Sequence, residues 1–302
     1  VTAKARQRLG VIAISYGLRF VLAAGFAVPV VSAVEGAGVA QFSEGDAILF
    51  EPSGLYLTEL LRLAGPDLRA LAHNALYLAL PALSLLIFAR AALMAALAES
   101  GRLSLGPWLS RALRALPGFL LISGLGVIAR LVLLLVALQV GGSTLALTEV
   151  SFDERKADLT ALAALLVCFV PLLVVPPLAD LARARVLLEG ERVRHALVES
   201  VKLLRQKFVS ILLAWLLPTL AALVAGLAVA WLVPFLDVGK PGAGRVLGVF
   251  LLHQLVAFGL VWFDAVWLAR AVNFSRTSPA DTPARSAEPL GPSSDPVASP
   301  GA

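Results

Sequence analysis

The sequence predicts an all-α, polytopic membrane helix bundle. Six transmembrane helices are expected, built as three repeated helix pairs, with amphipathic helices lying in the membrane interface. Three observations carry this: six long apolar runs, a recurring arginine motif, and a one-sided distribution of basic residues.

The apolar runs cover about 11–31, 74–97, 117–140, 158–182, 208–236 and 246–270. Each meets the length of about 20 mainly apolar residues that crosses the hydrocarbon of a bilayer. The chain of 302 residues is 59% hydrophobic and 15% charged. An ordinary soluble domain carries about 25% charged residues, so this chain lacks the charges a soluble surface needs. The runs leave no room for a separate soluble domain.

The repeat is read from three near-identical tetrapeptides: Phe88-Ala89-Arg90-Ala91, Leu181-Ala182-Arg183-Ala184 and Leu268-Ala269-Arg270-Ala271. Each follows every second apolar run, so the unit is a helix pair used three times. The arginine is expected where the second helix of each pair leaves the lipid.

The first span follows Lys4, Arg6 and Arg8 and is expected to remain as an uncleaved span. Its apolar stretch exceeds the 7–15 residues of a signal-peptide core. The long connection 32–72 contains Leu55, Leu57, Leu60, Leu61 and Leu63 after Pro52-Ser53-Gly54. This predicts a short amphipathic helix on the outer leaflet. The second outer connection, 141–157, opens on Gly141-Gly142, and the third, Asp237 to Arg245, is a Gly/Pro turn. On the opposite side, Trp108, Leu109 and Leu116 against Arg111 and Arg114 predict an amphipathic lead-in at 107–116. Residues 186–207 predict a second, with an apolar stripe of Val193, Leu197, Val201 and Leu204 continued by Phe208. Residues 1–272 are therefore expected to form the six-span domain. Residues 273–302, with six Pro and six Ser, are expected to form a disordered cytoplasmic tail.

Basic residues flanking spans set orientation. Of the 25 Lys and Arg, six fall in the expected outer loops (Arg62, Arg69, Arg155, Lys156, Lys240 and Arg245) and two, Arg19 and Arg130, fall inside spans. The rest lie on the side of the N-terminus, so both termini are expected in the cytoplasm. The dominance of Arg over Lys, with abundant Ala, Leu, Val and Gly, suggests a GC-rich bacterium. The expected location is thus the bacterial inner membrane, spanned several times. The net charge of +5 is explained by these flanks, with the anionic inner leaflet as the expected lipid partner and no nucleic acid. A membrane-protein partner is a further expectation. Arg90, Arg183, Arg192, Arg194, Lys202, Arg205, Lys207 and Arg270 are the candidate headgroup contacts.

Ionisable residues within spans are functional candidates, because a charge in hydrocarbon is costly. Arg19, Arg130, His253 and Asp264 form the candidate intramembrane polar site, and Asp180 sits near the end of the fourth span. His253 and Asp264 share one helix face but stand about 16 Å apart along it, too far to work as a pair. Arg19 and Asp264 match in depth and are expected to meet across the bundle. Two readings are open: a structural ion pair, or a polar site for a substrate or proton. Small-residue faces at Gly124, Gly126 and Gly226 predict close helix packing.

No metalloprotease, nucleophile-elbow or P-loop pattern occurs, and the single Cys168 offers no metal pair. No catalytic residue and no cofactor are expected. The stretch from Leu181 to Phe208, with Glu189 and Gly190 in a turn and then Ala196, Leu197, Ser200 and Leu203, resembles the link between spans in certain six-span bacterial membrane proteins. That group includes the membrane domain joined to glycerophosphodiester phosphodiesterases. The resemblance implies an architecture and no catalytic residues. A structural or accessory membrane protein is the expected function, and a small permease for a lipid-like or hydrophobic substrate is the alternative.

Overall fold

The computed structural model describes residues 7–36, 54–99, 101, 104–150, 154–232 and 243–276. The ordered elements among them are seven helices: α1 Leu9–Gly36, α2 Gly54–Ala98, α3 Leu105–Val150, α4 Glu154–Glu189, α5 Val193–Gln206, α6 Phe208–Leu232 and α7 Ala243–Arg276. Five of them contain stretches long and apolar enough to cross a membrane: Leu9–Ser32, Tyr77–Ala98, Gly106–Val140, Phe208–Leu232 and Gly244–Arg276. The fourth expected span lies within α4, which is not among those five.

The helices run longer than the apolar runs. α2 starts at Gly54, so the segment expected as a separate interfacial helix is continuous with the span that follows. α3 passes through Gly141-Gly142 to Val150, where a loop was expected. Each glycine costs only about 1 kcal/mol in a helix, and Leu145, Ala146 and Leu147 beyond them are good helix formers. α7 continues to Arg276, taking in the first four residues of the expected tail. The remainder of that tail lies outside the described residues.

One end of the bundle holds the core. There α1, α3 and α6 begin, and α2, α4 and α7 finish. Residues 91–98 of α2 are buried on every side, and five of them are alanine. Small side chains let α1, α3, α4 and α7 all pack against this post. The buried stretches of α4 (Ala179 to Leu187) and α7 (Ala265 to Val272) join it in one cluster. Away from this end the helices present Leu, Val and Phe outward, as a lipid-facing surface does: Leu78 and Leu80 of α2, Leu135 and Leu138 of α3, Val224 and Leu227 of α6.

Helix-end chemistry fixes the core end. The last carbonyls of a helix lack internal partners and carry partial negative charge. Those at and just past the end of α2 collect cations from two neighbours, and α3 adds contacts of another kind. Arg8 donates to Glu99 O at 3.3 Å and Gly101 O at 2.6 Å. Arg276 donates to Ala98 O. Trp108 Nε1 donates to Ala92 O at 2.7 Å, and Arg111 pairs with Glu99 at 2.9 Å.

Gly118 allows α3 to approach α4, since a Cβ there would stand 2.8 Å from Val186 Cγ1. Gly124, Gly126 and Gly226, expected as close-packing positions, have open space where a Cβ would go. Their spacing marks small residues but not the face that meets a neighbour.

The amphipathic helix expected from 186 starts at Val193 instead, because Gly190 ends α4. Gly190 takes the left-handed conformation (φ 67) and donates its N–H to Val186 O at 3.1 Å. This is the common glycine stop of a helix. α5 then buries Ala196, Ser200, Leu203 and Leu204. Val193 and Leu197 pack beside them, while Val198 and Val201 are exposed. The expected stripe is therefore turned by about one residue, and its packed side rests on α4 and α6. On the open side Lys202 donates to Glu199 Oε1 at 2.6 Å, holding that carboxyl below the usual range.

A test follows from Gly190. A Cβ at this position meets nothing within 4 Å, so only the backbone conformation opposes a side chain. Gly190→Ala is expected to lower the unfolding free energy in detergent by about 1–2 kcal/mol. Gly124→Ala, in open space within a helix, is expected to be neutral or stabilising.

Candidate intramembrane polar site

The site is an ion-pair cluster in the core end of the bundle, built on Asp180 of α4. This carboxylate is 2% exposed and accepts four hydrogen bonds. Arg90 of α2 grips both oxygens, with Nε at 3.3 Å from Oδ1 and Nη2 at 2.9 Å from Oδ2. Arg183, one turn along α4, donates to Oδ1 at 2.6 Å. Trp267 Nε1 of α7 donates to Oδ2 at 2.9 Å. Bidentate arginine and multiple donors are what a carboxylate requires in a low-dielectric setting.

Arg90 extends the cluster. Its Nη1 reaches Asp264 Oδ2 of α7 at 2.9 Å. The same oxygen accepts Arg19 Nη2 of α1 at 3.2 Å. Arg183 Nη2 donates to Ser123 Oγ of α3 at 2.9 Å, and that hydroxyl donates onward to Phe119 O at 2.6 Å. Five helices are thereby tied through side chains. Nearby, Tyr16 of α1 donates to Gln254 Oε1 of α7 at 2.7 Å and packs edge-on against Phe258.

The pair expected between Arg19 and Asp264 is present, but Arg90 shares the same carboxylate oxygen. Arg90 and Arg183, expected at headgroups, turn into the bundle. The reason is length: their helices continue eight and six residues beyond them, under cover of neighbours. The alanines flanking each motif arginine are small enough for this crowding, and Ala91, Ala182, Ala184, Ala269 and Ala271 are all buried. Asp180 was placed near a helix end by its position in the apolar run and so was not joined to the other candidates. Its spacing of three from Arg183 was the available signal.

The third motif arginine does different work. Arg270 Nη1 donates to Ala214 O of α6 at 2.9 Å. Four residues on stands Pro218, which has no N–H to give that carbonyl. Arg270 thus supplies the bond that the proline removes. Non-helical partners of this kind are what make proline tolerable in membrane helices.

His253 lies outside the cluster, exposed, with Nδ1 at 2.8 Å from Val249 O of its own helix. Arg130 is exposed on α3. Arg192, Arg194, Lys202 and Arg205 are exposed on or beside α5, and Lys207 is partly buried at its end. Arg185 is a feature that the sequence did not single out. It is 1% exposed, on the face of α4 opposite Arg183, with Nη1 at 3.7 Å from Glu189 Oε2. Its Nε and Nη2 find no acceptor among the described residues. Among the described residues no group of His, Cys, Asp and Glu is arranged to hold a metal ion.

Comparison with protein families, with curated proteins and with solved structures finds no match for this chain.

The Arg270 contact yields a coupled pair of variants. Arg270→Leu leaves the Ala214 carbonyl unsatisfied in a partly buried setting, at an expected cost of about 1 kcal/mol. Adding Pro218→Ala restores an N–H four residues along and should recover most of that loss. Thermal unfolding of the two single variants and the double variant in one detergent measures the coupling. Additive losses would show that Arg270 does not serve that carbonyl.

Proposed function

We propose that this chain is a six-span bacterial inner-membrane protein that performs no chemistry of its own. Its role in this reading is structural or accessory: a bundle that organises lipid, or a partner protein, at its basic end. The observation that carries the proposal is the state of two carboxylates within the bundle, Asp180 buried and Asp264 partly buried. Asp180 and Asp264 are each held by two arginines. A general acid or base needs a free lone pair and a path to substrate, and groups held this way serve cohesion instead.

The sixth span is assigned to α4. Its 36 residues are ample for a crossing, its C-terminal part packs with α2 and α7, and Gly190 reverses the chain at its end. Support for three repeated pairs comes from the motif arginines, which stand eight, six and six residues before the ends of α2, α4 and α7. In each pair the two helices also pack together: α1 with α2, α3 with α4, α6 with α7.

The likeness of residues 181–208 to the membrane domain joined to glycerophosphodiester phosphodiesterases is in keeping with this reading. Gly190 makes the turn, and Ala196, Ser200 and Leu203 form the packed face of α5, which gives that motif a packing role.

A second reading is a small permease for a lipid-like or hydrophobic substrate. It is favoured by the confinement of the core to one end, which leaves apolar side chains of α2, α3 and α6 exposed along the rest of the helices. Charged points at Arg19, Arg130 and Asp264 would then stand at the base of a lateral approach.

Reporter fusions test the architecture. An even number of spans puts both chain ends on one side. Fusions after Ser100 and after Arg276 should report cytoplasmic, and fusions after Val150 and after Lys240 should report external. A cytoplasmic signal after Val150 would remove the sixth span. For the accessory role, proteoliposomes holding the protein should show no uptake of a fluorescent lipid or small apolar solute beyond that of empty vesicles. Saturable uptake would favour the permease.

A further inference from the structure

The ion-pair cluster is not balanced in charge. Arg19, Arg90 and Arg183 bring three positive charges, and Asp180 and Asp264 bring two negative ones, all joined by contacts of 2.6–3.2 Å. One positive charge is left over, and an uncompensated charge among apolar helices is costly. The excess falls on Arg19. Arg90 bonds two carboxylates, and Arg183 bonds a carboxylate and a hydroxyl. Arg19 gives one N–H to Asp264 Oδ2 at 3.2 Å, on an oxygen that Arg90 already holds at 2.9 Å. Its side chain is also the most open of the three, 36% exposed against 24% for Arg90 and 13% for Arg183. A guanidinium carries five N–H donors, so Arg19 keeps donors to spare at the open side of the cluster.

An aromatic track starts beside it. Phe20, the next residue of α1, is exposed and stacks on Tyr16 with ring centroids 6.4 Å apart. It also meets Phe250 of α7 edge-on at 6.4 Å, and Phe250 is exposed too. Phe250 stands fourteen residues from Asp264, about 21 Å along α7, toward the end of the bundle away from the core. Leu247 and Leu251 beside it are exposed. A spare cation with an apolar surface leading away from it matches an amphiphile that carries one negative charge.

We propose that Arg19 binds the carboxylate of a long-chain fatty acid whose chain lies along the seam of α1 and α7, over Phe20 and Phe250. The head supplies the one negative charge that balances the cluster. A carboxylate is planar and accepts two parallel bonds from a guanidinium. Depth favours a fatty acid over a phospholipid. Arg19 stands ten residues, about 15 Å, along α1 from Leu9, and the whole hydrocarbon layer is about 30 Å thick. A phosphodiester headgroup stays at the membrane surface. A fatty acid loses its charge on protonation and enters the apolar layer, where the neighbouring guanidinium favours the ionised form again. This inference rests on the reading of the chain as a bundle that organises lipid, and it names the class of amphiphile held.

The test measures binding of oleate and of oleyl alcohol, which shares its chain and lacks its charge, to the purified full-length protein in one non-ionic detergent. Native mass spectrometry reads retained ligand, and thermal unfolding reads stabilisation. The variants are Arg19→Gln, Arg19→Lys and an Arg114→Gln control. Arg114 is an exposed basic residue of α3 whose Nε bonds its own helix at Ser110 O, away from the cluster. Asp264 keeps Arg90 when Arg19 is removed, so Arg19→Gln should fold; Arg19→Lys, which keeps the charge, carries the test if it does not. Unfolding without ligand verifies both. The wild type and Arg114→Gln should bind oleate equally, and Arg19→Gln about tenfold more weakly, as for a lost hydrogen bond between charged groups. Arg19→Lys, a point charge without the planar fork, should fall between them. Oleyl alcohol should bind the wild type and every variant alike, and more weakly than the wild type binds oleate. Oleate binding unchanged in both Arg19 variants, or wild-type binding of the alcohol as tight as of oleate, overturns the proposal. Displacement of oleate by an equal concentration of phosphatidylglycerol overturns it as well, by putting a headgroup at the site. Failure here with the topology intact leaves the reading of the chain as a membrane bundle standing. Failure of the topology shows separately in the reporter fusions.

Discussion

A carboxylate with 2% exposure inside an apolar bundle dictates much of this structure. Asp180 is tolerable there only if donors replace the water it gives up, since the effective penalty for burying an ion is several kcal/mol. The donors come from three helices: Arg90 from α2, Arg183 from α4 itself and Trp267 from α7. Bringing them together sets the depth at which α2, α4 and α7 stand against one another. Arg90 then carries the constraint to Asp264, and Asp264 carries it to Arg19 of α1. In a membrane there is no hydrophobic force between apolar helices to do this, because lipid is as apolar as leucine. Packing and polar bonds must set the arrangement. The pattern of burial agrees: the core lies where the ion pairs lie.

The same economy appears at the ends and breaks of the helices. The carbonyls at and just past the end of α2 draw in Arg8 and Arg276, and Trp108 reaches Ala92 O further back, joining α1, α3 and α7 to one post. The carbonyl freed by Pro218 draws in Arg270. The three motif arginines are thus alike in position and different in task. Arg90 bridges carboxylates, Arg183 links a carboxylate to a hydroxyl, and Arg270 mends a helix. A shared tetrapeptide marks a shared place in the bundle, one crowded enough to need alanine on either side of the arginine.

The all-helical character and five of the apolar spans were legible from run length alone. So was the meeting of Arg19 and Asp264, because opposite charges at matching depth in apolar runs have little else to bond. What escaped the sequence was set by direction. Counting residues from a run's end placed Asp180, Arg90 and Arg183 near water, whereas the helices continue past them under cover. The stripe Val193, Leu197, Val201 and Leu204 predicts an apolar face for the membrane interface, whereas α5 turns Ala196, Ser200, Leu203 and Leu204 toward its neighbours and leaves Val201 out. Small and polar residues lie nearest the neighbour there because a close approach excludes large ones. For the same reason Gly118, not Gly124 or Gly126, sits where α3 meets α4. Hydropathy reports how apolar a face is, and not which neighbour it meets.

The central claim is that Asp180 and Arg90 hold the bundle together as a bonded pair. A double-mutant cycle on Asp180→Leu and Arg90→Met, followed by denaturant unfolding in one detergent, measures it most directly. Each single variant removes one partner from a charge that keeps others, Arg183 and Trp267 for Asp180 and Asp264 for Arg90, and should lose about 1–3 kcal/mol. The double variant should lose less than the sum, with a coupling on the order of 1–3 kcal/mol. Strictly additive losses, or single variants as stable as the parent, would show that the cluster does not hold the helices.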